Sequence, residues 1–121
     1  MTTAAAETAT VTLPANAVPS IDPYLMRGLL WCAHCTTLMA PGDPILDTSK
    51  GSPVWRLAYT CGGCDRKADA GIVDETVWRR VIARANVRSL APQYRQWIVR
   101  QMLAKVNLTI DGRNLQFLWS M

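Results

Sequence analysis

The chain contains a single histidine, His34. Histidine-rich metal chemistry is therefore excluded, and a Ser-His-acid triad would have to draw on a residue lying inside a cysteine motif. Charged residues are also sparse, 18 % of 121 positions against 50 % apolar, which excludes a wholly disordered chain. No run reaches the roughly 18 apolar residues that a membrane span requires. The first twenty residues, MTTAAAETATVTLPANAVPS, have no basic residue and no continuous apolar stretch, unlike a secretory signal. The expectation is a cytoplasmic protein with no membrane partner. Residues 1–20 read as a disordered arm, with a short edge strand at Thr10–Leu13 as the alternative. Without Lys or Arg, that arm is poorly suited to following a phosphate backbone.

Charge is unevenly spread. Lys and Arg number 13 against nine Asp and Glu, for a formal charge of +4 and a pI near 9.1. Such a balance permits an acidic partner but does not demand one. Residues 27–74 hold five charges of each sign, whereas residues 75–121 hold eight basic residues against Glu75 and Asp111. The basic character belongs to the C-terminal third.

All four cysteines fall in two pairs, Cys32-Ala-His-Cys35 and Cys61-Gly-Gly-Cys64. A CxxC segment can curl into a knuckle that aims both sulfurs at one ion, and two knuckles complete a tetrahedron. The spacing points to one structural Zn²⁺ held by Cys32, Cys35, Cys61 and Cys64, with no open position for catalysis. Iron in the same cage would make an electron carrier. Disulfides are disfavoured without a route to an oxidising compartment. His34, wedged between two ligating cysteines, points away from the ion and reads as a surface imidazole. Clustered acid, base and nucleophile cannot be assembled from one histidine and scattered carboxylates, so no enzyme is expected.

The pattern around these pairs is that of a small α+β protein: a zinc β-ribbon over 21–74, then two short helices and a β-hairpin over 75–121 that pack on it. WRLAYT, residues 55–60, alternates Trp55, Leu57 and Tyr59 with Arg56, Ala58 and Thr60, which predicts a half-buried strand entering the second knuckle. Asp74 is placed to cap a helix starting at Glu75, with Val77, Val81, Ile82 and Ala85 on one arc, Trp78 beside them, and an end at Asn86–Ser89. Pro92 suits the first turn of a second helix running to about Lys105, where Tyr94, Ile98 and Met102 recur every fourth residue. Trp97 points well away from that stripe. VNLTI and LQFLW flank Asp111-Gly112, a type I′ hairpin signal.

The stretch YLMRGLLWCAHC (24–35) followed by Leu38-Met39, the entry Tyr59-Thr60-Cys61, the segment Ile72-Val73-Asp74-Glu75 with Val77-Trp78, and the closing VNLTIDGRNLQFLW together resemble the zinc β-ribbon domain of large serine recombinases and phage integrases. The resemblance spans about residues 20–121. It implies that the four cysteines are zinc ligands and that the domain grips attachment-site DNA. Three departures stand out. Thr36 occupies a position where glycine often follows the first knuckle. The helices are too short for the family's long coiled coil. The residues ahead of Cys32 are too few for its catalytic domain.

Double-stranded DNA is thus the first expected partner, bound without covalent chemistry by an accessory or regulatory protein. Arg80, Arg84 and Arg88 lie four apart on one helix side, with Arg79 elsewhere on it, and Arg56, Arg66 and Lys67 flank the second knuckle. Arginines that merely cover an amphipathic helix are the plain alternative. A protein-interaction adaptor is the rival function, with Trp78, Trp97 and Trp119 as candidate interface residues.

Overall fold

The computed structural model describes residues 15–85, 91–109 and 114–120. Arg88, the helix end at Asn86–Ser89, the Thr10–Leu13 strand and the Asp111-Gly112 turn lie outside the described residues. Six strands form one sheet in the order β4-β3-β2-β1-β5-β6. They are β1 (Leu30–Cys32), β2 (Thr37–Asp47), β3 (Val54–Cys61), β4 (Lys67–Asp69), β5 (Leu103–Leu108) and β6 (Leu115–Trp119). Neighbours run antiparallel except β1 and β5, which pair in parallel from Leu30↔Val106 to Cys32↔Leu108. That parallel step requires a long crossover. It contains helix α1 (Ala70–Ala85), a 3₁₀ turn (Pro92–Tyr94) and helix α2 (Arg95–Met102). The C-terminal hairpin therefore extends the ribbon's own sheet.

Helix α1 begins at Ala70, a full turn earlier than Glu75. The Asp69 carboxylate accepts the Ile72 N–H at 3.1 Å and so caps the helix, which releases Asp74 for another role. Its inner line is Ala70, Val73, Val77, Trp78, Val81 and Ala85, while Ile82 is 36 % exposed and lies outside it. The second helix stops at Met102, short of Lys105. Leu103, Val106 and Leu108 bury themselves between β1 and β6, and sheet pairing there outweighs continuation of the four-residue stripe. Ile98, Val99 and Met102 are its buried face; Trp97 is half-buried against the core instead of standing clear.

The core joins Met26, Leu30, Met39, Tyr59, Val77, Val81, Ile98, Leu103 and Val106, drawn from both halves of the chain. Strand β3 is buried at its knuckle end alone: Tyr59 is fully enclosed, yet Trp55 is 65 % exposed. Strand β4 pairs with residues 58–60 of β3 and no further, so the outer half of the β2–β3 hairpin extends past it. Gly42 on β2 faces Thr60 so closely that any Cβ would coincide with the threonine side chain, and the register shifts between Gly42 and Ile45. Among the described residues, no helix is long and apolar enough to cross a membrane.

Candidate metal centre and basic surface

Cys32 ends β1 and Cys61 ends β3, so the sheet delivers the first sulfur of each pair. Each chain then turns through the same knuckle. The Thr36 N–H donates to the Cys32 carbonyl at 2.8 Å, and the Asp65 N–H donates to the Cys61 carbonyl at 3.0 Å. Both turns close on a residue with positive φ, 54° at Thr36 and 59° at Asp65. The position where Thr36 replaces the common glycine is thus left-handed, and Asp65 is its counterpart in the equivalent place after the second pair. Gly62 and Gly63 do not supply the positive φ. A Cβ on Gly63 would lie 3.0 Å from the Cys35 sulfur, so its absence makes room for the sulfur cluster.

The four Sγ atoms lie within 4.8 Å of one another, and Cys32 and Cys64 are 3.8 Å apart. Sulfurs bound at about 2.3 Å around a tetrahedral zinc are separated by about 3.8 Å. The donor set and its spacing therefore fit Zn²⁺, and the site is a structural Zn²⁺ centre. Four thiolates fill the coordination shell, leaving no position for substrate. Backbone amides of Cys64 and Gly63 hold the Cys61 thiol down to about 7, the Gly63 N–H at 3.3 Å from its sulfur. The Cys35 thiol, hydrogen-bonded to Cys64 and partly desolvated, is pushed up to about 12. A divalent ion displaces such protons on binding. His34 is exposed in the first turn, outside the sulfur cluster.

Behind the first knuckle, Asp74 of α1 accepts the Leu25 N–H at 3.1 Å and the Tyr59 hydroxyl at 2.6 Å, while that hydroxyl accepts the Met26 N–H at 2.9 Å. This network ties the lead into Cys32 to both β3 and α1. Burial pushes the Asp74 carboxyl up to about 6, with the Tyr59 hydroxyl opposing the rise. Ahead of it, the Arg27 guanidinium, 2.6 Å from Asp22, helps to hold that carboxyl down at about 2.

The basic residues singled out from the sequence are largely occupied within the fold. Arg56 lies between Asp47, at 2.8 Å, and Asp69, at 3.8 Å. Arg66 donates to the Thr109 carbonyl at 2.9 Å and braces the second knuckle against the end of β5. Arg79 pairs with Glu75 one helical turn away at 3.4 Å. Arg80 lies over the Phe117 ring at 4.6 Å and Arg84 over Trp119 at 4.5 Å, the two rings themselves stacking at 5.7 Å. Lys67 is exposed, on the rim of a cleft of about 370 Å³ that Arg80 and Phe117 also line. The three tryptophans singled out as interface candidates are likewise engaged. Trp78 is 7 % exposed beneath Arg95, and Trp97 and Trp119 are half-buried against the core.

No family model matches the chain, and no curated protein matches it. A solved structure concerned with the sequence requirements of the Listeria innocua prophage attP site contains a chain of similar fold, at a TM-score of 0.57 and 17 % identity. The similarity covers 87 % of this chain and 44 % of that one, so this chain spans less than half its length.

Proposed function

We propose that the chain is a non-catalytic DNA-binding module, an accessory or regulatory protein built on the zinc ribbon of large serine recombinases. The observation that carries this reading is the shared fold, extending over 87 % of the chain, with a protein studied for its prophage attP site. The four-sulfur centre supports it by giving a chain this small a rigid frame on which to present a surface. The formal charge of +4, lowered to about +2 by four thiolates around one Zn²⁺, suits a polyanion. The adaptor reading is weaker, because the tryptophans singled out for it, Trp78, Trp97 and Trp119, are buried or packed against the core, and the exposed Trp55 belongs to no aromatic cluster among the described residues.

The test is a titration of zinc-loaded protein against a fluorescent 30-base-pair duplex at 50 and 200 mM salt. With so many arginines engaged internally, we expect about three neutralised phosphates. Affinity should then fall about 40-fold over that range. Absence of binding at 50 mM by protein with its full zinc content would end the proposal.

A further inference from the structure

We infer that DNA is contacted by the helix-free face of the sheet, across strands β2, β1, β5 and β6, and not by the arginine side of α1. This rests on the DNA-binding reading above and names the surface that performs it.

Pairing registers define the face. Trp31 lies opposite Leu38 on β2 and Asn107 on β5, and Asn107 lies opposite Gln116 on β6. Side chains at paired positions share a face, so Leu38, Trp31, Asn107 and Gln116 form one row across four strands. Lys105 and its partner Leu118 begin a second row. The alternate positions Leu30, Val106 and Phe117 point the other way, into the core and toward Arg80 of α1. Both helices therefore serve the inner face.

The chemistry of the outer rows is that of base recognition. Asn107 and Gln116 present neighbouring side-chain amides, with Asn107 Nδ2 3.5 Å from Gln116 Oε1. Such amides pair in bidentate fashion with adenine edges in the major groove, and exposed apolar groups meet thymine methyls. Leu38 and Leu118, 40 % and 39 % exposed, supply the apolar contacts. Lys105, with its Nζ 5.0 Å from the Trp31 ring centroid, supplies a cation within reach of phosphate. Strands β1, β5 and β6 contain no Asp or Glu, nor does the Thr37–Ala40 part of β2. Among the described residues, those strand segments present no carboxylate to repel a polyanion. Four strands about 4.8 Å apart set a row of about 14 Å, comparable to the roughly 12 Å width of the major groove.

The arginine helix offers less. Two of its guanidinium groups cover β6 aromatic rings and a third is paired with Glu75.

The experiment compares three zinc-loaded full-length proteins on the same mixed-sequence duplex at 50 mM salt: wild type, Asn107→Asp with Gln116→Glu, and Arg79→Glu. Both variants change the formal charge by two. The near-isosteric outer-face pair should weaken binding at least tenfold, and Arg79→Glu no more than about twofold. Zinc content and thermal melting establish that each is folded. If the pair disturbs folding, the side-chain amide NMR signals of Asn107 and Gln116 in the wild type should shift on adding duplex. Equal losses from both variants, or unmoved amide signals while wild type binds, would overturn the surface and leave DNA binding intact. Tighter binding to the single strand than to the duplex would overturn groove docking. A wild type that binds no DNA removes both this inference and the reading beneath it.

Discussion

The two zinc knuckles have the same internal geometry but are attached to the body by different means. The second is entered by β3, a strand paired on both sides at residues 58–60, and left through β4, with the Cys61 N–H bonded to the Arg66 carbonyl at 2.8 Å. Its support is mostly backbone ladder. The first is entered by the short strand β1, paired with β2 and β5, but the lead ahead of that strand, residues 22–28, is held by the carboxylates of Asp22 and Asp74 and by the Tyr59 hydroxyl. Ladder hydrogen bonds do not titrate, whereas carboxylates do. Similar knuckle geometry can thus rest on supports of different sensitivity, and the buried Asp74 carboxylate, which titrates in the neutral range, belongs to the first knuckle's lead.

The largest expected effect is one that abolishes the difference. Structural zinc contributes folding free energy outright, on the order of 10–16 kcal/mol in zinc-finger peptides, and here the ion joins the two knuckles. Removing zinc with a chelator, or replacing Cys32 or Cys61 with Ser, should release both knuckles together, with loss of the sheet signal in far-ultraviolet circular dichroism. An apo protein that keeps a cooperative melting transition would show that the hydrophobic core suffices alone.

Tyr59→Phe sharpens the contrast, because it cuts the support of the first knuckle and leaves the β3 ladder whole. The buried Met26 N–H loses its acceptor and Asp74 loses a donor, at a cost of about 1–3 kcal/mol. The cost should depend on pH. The folded pKa of Asp74, about 6, stands above its ordinary 3.8. Its contribution is therefore fully present below pH 4 and lost as pH rises through 6. Asp22, lowered to about 2, contributes in the opposite sense, present above pH 4 and lost as pH falls through 2. Without the Tyr59 hydroxyl the Asp74 carboxylate is harder to ionise. The penalty of Tyr59→Phe relative to wild type should then be smaller at pH 5 than at pH 7.5 in urea unfolding of zinc-loaded protein. Taking the difference at each pH cancels the zinc contribution; an equal penalty at both would separate Asp74 from the network.

These contrasts also show what was legible beforehand. The zinc ligands could be read because a CxxC knuckle is local geometry, complete within a few residues. Asp74 has the sequence signature of a helix cap, a short acidic residue before an apolar run, yet Asp69 caps the helix. The actual partners of Asp74, Tyr59 and Leu25, are brought to it by the sheet. Leu103–Lys105 continue a helical stripe in sequence and become strand because β1 and β6 offer pairing on both sides. The four-residue spacing of Arg80 and Arg84 placed them correctly on one side of α1. That this side faces the Phe117–Trp119 stack depends on where β6 comes to rest, which helix periodicity does not encode.

The smallest expected effect isolates the knuckles from their supports. Thr36 and Asp65 hold the same left-handed conformation, which costs an L residue about 1–2 kcal/mol, but aspartate visits it more readily than a β-branched side chain. Glycine removes that strain and adds about 0.4–1 kcal/mol of unfolded-chain entropy to be lost on folding. The balance should favour Thr36→Gly by about 0.5 kcal/mol and leave Asp65→Gly near zero, given gains of this order from the two cited terms. Neither side chain is buried, so packing does not obscure the comparison. Thermal melting of the zinc-saturated variants should then raise Tm by a few degrees for Thr36→Gly alone. Equal shifts would mean that knuckle strain is indifferent to the side chain, and that the two turns differ solely in how the rest of the fold holds them.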